Sequence, residues 1–141
     1  MQQKPLYIFI LVLGFIGFAD ATYLTATHFM EAPPGCGESG GCETVTTSEY
    51  STMFGVPVAL FGVVFYLSVI FMSLLWLDRG ISLLSNILPL LTLPGFLFSC
   101  WFVYVMIFIL EAICWYCMGS AASSTLIFGS SLLVWRAHAA G

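Results

Sequence analysis

Four apolar stretches, each long enough to cross a bilayer, dominate this chain. They run roughly over Pro5–Phe29, Val56–Leu77, Leu84–Leu110 and Ile113–Trp135. A helix needs about 20 apolar residues to span the hydrocarbon core. Within lipid every backbone polar group must be satisfied inside the segment, so stretches of this length fold as helices. Only 7% of the 141 residues are charged and 60% are hydrophobic. A soluble domain carries about a quarter charged residues, and a core this small would not hide so much apolar surface from water. The expected fold is an all-α membrane protein, a single domain over residues 1–141 built as a four-transmembrane-helix bundle. The first stretch is too long for a removable signal peptide and lacks a small-residue cleavage site. With three basic residues in total, the chain offers no basic surface for nucleic acid.

Those three cations orient the bundle. Lys4 precedes the first segment, Arg79 lies between the second and third, and Arg136 follows the fourth. A four-pass chain puts all three on one side, which the positive-inside bias makes the cytoplasm, with both termini there. Glu31, Glu38, Glu43, Glu49 and Glu111 fall on the other side. The one long connection, roughly Met30–Gly55, is then extracytoplasmic. Thr46 and Glu49 have capping-box spacing, which predicts a short lid helix over roughly Thr47–Phe54. Gly55-Val56-Pro57 then restarts a helix with proline in its first turn.

The cysteines gather on that same side. Cys36 and Cys42 lie in the long loop, and Cys114 and Cys117 form "CWYC" at the start of the fourth segment. An extracytoplasmic compartment is oxidising, so disulfides persist there. A helix N-terminus offers free N–H groups and a positive dipole end, both of which favour the thiolate that exchanges disulfides. At helical rise Cys117 lies about 4.5 Å deeper than Cys114. The same four cysteines also fit two structural disulfides, or a zinc site, although the Cys36/Cys42 spacing suits zinc poorly. Cys100, in the middle of segment three, is expected to be a small buried apolar residue.

Asp20 is the other anomaly. It sits in segment one, about 13 Å from the outer end at helical rise. A carboxylate at membrane depth is a functional candidate by default. It suits a thiol-tuning or proton-relay role, or an inter-helix hydrogen bond to Ser99 or Tyr104. His28 falls at the outer interface.

The segments "GFADATYLTATHF", "CGESGGCETVTTSEYSTMFGVPVALFGVVFY" and "EAICWYC" resemble the vitamin K epoxide reductase family, and the loop spacing is similar to that of its prokaryotic members. The resemblance implies a membrane thiol oxidoreductase that generates disulfides. A separate thioredoxin-fold partner on the extracytoplasmic side of a prokaryotic inner membrane would be oxidised, and a membrane quinone of ubiquinone or menaquinone type reduced. It further implies that Cys36 forms the mixed disulfide, Cys42 exchanges with Cys114, and Cys117 faces the quinone. Ser48, six residues after Cys42, matches the family's loop serine. Vertebrate members have a tyrosine four residues after the second CxxC cysteine, where this chain has Ala121. A quinone headgroup needs apolar walls and one or two donors, for which Phe54, Trp115, Phe61, Phe65 and Asp20 are the candidates, with no metal. The other readings are a DsbB-type oxidase, disfavoured by the order of the cysteine pairs, and a non-catalytic scaffold stapled by two disulfides.

The topology is open to a direct check. In a cysteine-free background, a membrane-impermeant thiol reagent should label a cysteine introduced near Gly40 from outside. One introduced near Arg79 should react only after lysis, and the reverse pattern would place the site in the reducing compartment.

Overall fold

The computed structural model describes residues 4–30, 52–53, 55–109, 111 and 115–140. Four long helices carry the chain: α1 (Lys4–Phe29), α2 (Val58–Arg79), α3 (Ser82–Tyr104) and α4 (Trp115–Ala140). Beyond Tyr104, α3 continues as a π-helical turn over Val105–Ile109. All four are long and apolar enough to span a membrane. The protein is an all-α four-helix membrane bundle, as the segment lengths require.

The element ends differ from the sequence expectation by a few residues. Helix α4 runs on to Ala140, beyond Trp135. Pro57 sits just before α2, in extended backbone (φ −62°, ψ 137°), instead of inside its first turn. Thr52–Met53 (β1) pairs antiparallel with Val56–Pro57 (β2), in the register Thr52 with Pro57 and Met53 with Val56. A helix reaching Phe54 was expected there. Gly55 between them adopts φ +80°, a left-handed conformation that reverses the chain and that a glycine takes without steric cost. The remainder of the expected lid helix lies outside the described residues.

At the other end of the bundle α2 stops at Gly80, whose φ of 63° caps the helix while its N–H bonds the Trp76 carbonyl at 2.7 Å. Only Gly80 and Ile81 separate α2 from α3, which forces the two helices antiparallel. Each helix packs on its chain neighbour and α4 closes onto α1, so the four form a ring. The α2–α3 seam is the least extensive of the four.

Near the chain's start, Tyr7 fixes the register. Its ring stacks on Trp76 (centroids 4.0 Å apart, planes 7° off parallel) and its hydroxyl meets Ser85 Oγ at 3.0 Å. Tyr7, Ile10, Leu13, Val69, Leu88, Ile127 and Val134 form the core around it. Lipid is as apolar as leucine, so the bundle is held by close packing and hydroxyl bonds rather than by hydrophobic burial alone. Helix α4 supplies much of this. Its serines lower its mean hydropathy to 1.4, against 2.5 for α2, and Ser123, Ser124, Ser130 and Ser131 are buried. Ser131 Oγ meets Thr92 Oγ1 of α3 at 2.9 Å. The large apolar side chains left on the outside, such as Phe15, Phe71 and Leu90, form the lipid-facing surface.

Cys100 is a correction. It is exposed on that outer surface, not buried in the bundle. Thr92, Gly95 and Ser99 take the inward positions of α3, which turns Cys100 outwards.

The tightest approach is at Gly17. A methyl group added there would collide with the ring of Tyr66. Overpacking of this kind destabilises by about 1–3 kcal/mol. Gly17→Ala should therefore lower the thermal midpoint in detergent. Gly119→Ala, where nothing lies within 4 Å, should leave the midpoint unchanged or raise it, since alanine is the better helix former by about 1 kcal/mol.

Candidate functional site

A cavity of about 360 Å³ lies between the helices at the end where α1 finishes and α4 begins. That volume is in the range of small-ligand pockets. Each helix contributes to its wall. Ala21, Leu24 and His28 come from α1, and Phe61, Gly62, Phe65 and Tyr66 from α2. Helix α3 supplies Pro94, Gly95, Phe98, Ser99 and Phe102, and α4 supplies Cys117, Ser120, Ala121 and Ser124.

Local sequence explains why a space remains here. Pro94 has no N–H to give to the Leu90 carbonyl, so the α3 ladder loses a bond at this level. Gly95 follows, and a side chain there would stand 2.5 Å from the Phe65 ring. Phe65 thus packs closely against bare α3 backbone and walls the cavity on the loosely packed α2–α3 seam. Helix α4 faces the space with small residues, Ser120, Ala121 and Ser124, which fill little of it.

Cys117 stands on the first turn of α4, half-buried, and lines the cavity. Its surroundings are built by the π turn of α3. There Met106 is fully buried and packs with Phe102, Val103, Tyr116, Cys117 and Met118. Such single π turns inside long helices are frequent at functional sites. The CxxC half that the structure describes is therefore a helix-start sulfur on the wall of an apolar chamber. The chamber beside it has the size and apolar lining that suit a flat apolar ligand.

Of the other residues singled out from the sequence, Phe61 and Phe65 join Cys117 on the cavity wall. Trp115 is exposed, at the start of α4, and does not line it. Asp20 is half-buried and adjoins Ala21 of the lining without lining the cavity itself. Its Oδ2 is buried with no hydrogen-bond partner among the described residues, so this oxygen makes no bond to Ser99 or Tyr104. Cys36, Cys42, Ser48, Phe54 and Cys114 lie outside the described residues.

Sequence reasoning passed over Tyr66, Ser120 and Ser124. The Tyr66 hydroxyl donates to the Ser120 carbonyl at 2.7 Å and meets Ser120 Oγ at 2.9 Å and Ser124 Oγ at 3.0 Å. The serines were within reach by spacing alone: three and seven residues after Cys117, they share its helix face. Nothing local marks Tyr66, whose importance depends on the gap at Gly17 in another helix.

Chemical labelling tests this geometry. With Cys117 as the sole cysteine, a lipid-soluble maleimide should react with it. Ala121→Phe, which fills the space beside the sulfur, should slow labelling by about ten-fold or more, the equivalent of ~1.4 kcal/mol on the barrier. Gly119→Phe, on the exposed face of the same helix, should leave the rate unchanged.

One comparison bears on the whole arrangement. The family model described as "Vitamin K epoxide reductase family" matches residues 8–132. The matched span includes all the cavity-lining residues and all five cysteines.

Proposed function

The chain belongs to the vitamin K epoxide reductase family, and on that premise we propose that this membrane thiol oxidoreductase makes disulfides for a thioredoxin-fold partner and passes the electrons to a membrane quinone. The observation that carries the reading is the chamber itself: apolar, of headgroup size, bounded by all four helices, with Cys117 on its wall.

The redox steps balance. Two partner thiols become a disulfide and give up two electrons and two protons. The electrons pass by thiol–disulfide exchange through the loop cysteines to the helix pair. A partner thiol attacks the Cys36–Cys42 disulfide to form a mixed disulfide with Cys36. The partner's second thiol displaces Cys36, which releases the oxidised partner and leaves both loop cysteines reduced. Cys42 then attacks Cys114 of the Cys114–Cys117 disulfide, and Cys36 displaces Cys114 from Cys42, which restores the loop disulfide and leaves the helix pair reduced. Cys114 and Cys117, once reduced, close to a disulfide again as a quinone accepts two electrons and two protons to become a quinol. The quinone supplies the two-electron sink; this chain supplies binding, orientation and thiolate activation.

Phe61 and Phe65 offer faces for the ring, and the open α2–α3 seam offers a lipid-soluble tail a way out of the bundle. Trp115 and Phe54 stand close to the site in sequence, and Ser48 carries a hydroxyl for a carbonyl oxygen or a thiolate. Asp20, whose buried Oδ2 has no hydrogen-bond partner among the described residues, sits one residue from the lining and suits a proton role in quinol formation. Lys4, Arg79 and Arg136 set the orientation: termini in the cytoplasm and the cysteine side in the oxidising compartment of a prokaryotic inner membrane, where such a partner would be met.

The deciding experiment supplies the purified protein with a reduced thioredoxin-fold protein and short-chain ubiquinone or menaquinone analogues. Thiol-dependent quinol formation is expected. Peptide mapping of variants under non-reducing conditions then orders the path. Cys36→Ala and Cys117→Ala should both accumulate a Cys42–Cys114 disulfide. No turnover with any quinone, together with separate 36–42 and 114–117 disulfides in every variant able to form them, would leave a scaffold stapled by two bridges.

A further inference from the structure

The hydroxyl cluster at the cavity wall has one hydrogen-bond donor more than it needs. Tyr66 has a single O–H hydrogen, and it goes to the Ser120 carbonyl. Its phenol oxygen is then an acceptor only. The contacts at 2.9 Å and 3.0 Å must therefore be donated by the Ser120 and Ser124 hydroxyls. Two donors converge on one buried oxygen. Either can turn away and leave that oxygen still bonded, so release exchanges one hydrogen bond for another at little net cost.

Position separates the two serines. Ser124 is buried, whereas Ser120 is half-buried. Ser120 also lies one turn from Cys117, about 4.5 Å along the axis at helical rise, and both line the cavity. Of the two serines it is the one nearer Cys117 along α4, so a ring seated against the sulfur meets its hydroxyl before that of Ser124. We propose that Ser120 is the hydrogen-bond donor for the quinone carbonyl remote from Cys117, with Tyr66 as the positioning residue that anchors it. On binding, the Ser120 hydroxyl swings from the phenol oxygen to the ligand. Ser124 stays on Tyr66, and the Tyr66 bond to the Ser120 carbonyl holds the backbone of that turn against α2. Ser120 undergoes no net chemistry. Both electrons and both protons still come from the dithiol, and the hydroxyl serves to orient the ring and to favour charge on the receding oxygen.

This inference rests on the quinone reading, and its test separates the two. The probe is 2-methyl-1,4-naphthoquinone with ¹³C at one of its two inequivalent carbonyls, each labelled in turn, bound to the protein in nanodiscs and followed by infrared difference spectroscopy and by equilibrium binding. In the unaltered protein one carbonyl band should shift to lower frequency. Ser120→Ala should abolish that shift and reduce kcat/KM by about five- to ten-fold, the range of one neutral hydrogen bond. Ser120→Thr, which keeps the hydroxyl, should restore both. Thr125→Ala, on the exposed face of the same helix, should change neither. An unshifted band in the unaltered protein, or identical bands and affinities in Ser120→Ala, would overturn the assignment and leave the function standing. If the unaltered protein neither binds nor reduces any quinone, the functional reading fails and takes this inference with it.

Discussion

The Tyr66 hydroxyl is the tie on which the functional end of the bundle depends. It joins α2 to the first turns of α4 through three contacts, all at 3.0 Å or less. The tie exists because Gly17 of α1 has no side chain, so the phenol ring lies directly against that helix. One aromatic residue thus fixes the relative positions of three helices. In lipid such a bond has no competing water, and close approach at small residues supplies the packing that hydrophobic burial does not. Tyr7, at the opposite end, does similar work by stacking on Trp76 and bonding Ser85. Between these two anchors the bundle is closed; beside Tyr66, towards the start of α4, it opens.

The opening has its own local causes. Proline and glycine at positions 94 and 95 remove one ladder bond and one side chain from α3, and Phe65 lies in the gap. The serines and alanine of α4 leave volume unfilled. A π turn then swings Met106 in against the turn that bears Cys117. None of these features is an obvious catalytic motif. Together they hold a cysteine sulfur beside an apolar chamber with hydroxyl groups on one side, in a chain whose family is one of membrane thiol oxidoreductases.

The bundle's lipid exposure also explains where sequence reading misjudged individual residues. Cys100 is apolar enough to face lipid or the core, and composition does not choose between them; the inward positions of α3 are taken by Thr92, Gly95 and Ser99. The Thr52–Met53 strand pairing likewise depends on the left-handed turn at Gly55, which competes with the helical signal that precedes it. In both cases the deciding interaction lies outside the segment being read.

What the sequence by itself determined is the class and the outline. Four apolar stretches of spanning length, three cations at alternate connections and a CxxC at a helix start are local properties, and lipid admits few folds for them because backbone groups must be satisfied within each segment. Helix count, helix order and family membership were all legible in that way. The tertiary structure alone decided which faces meet. It selected Tyr66 by the gap at Gly17, seated Phe65 on Gly95, and gathered Cys117, Ser120 and Ser124 around one cavity. Apolar periodicity is nearly silent on such choices, since inside and outside of a membrane bundle are equally greasy. The selection comes instead from side-chain volume and hydroxyl bonding between helices distant in sequence, and those appear only once the helices are packed.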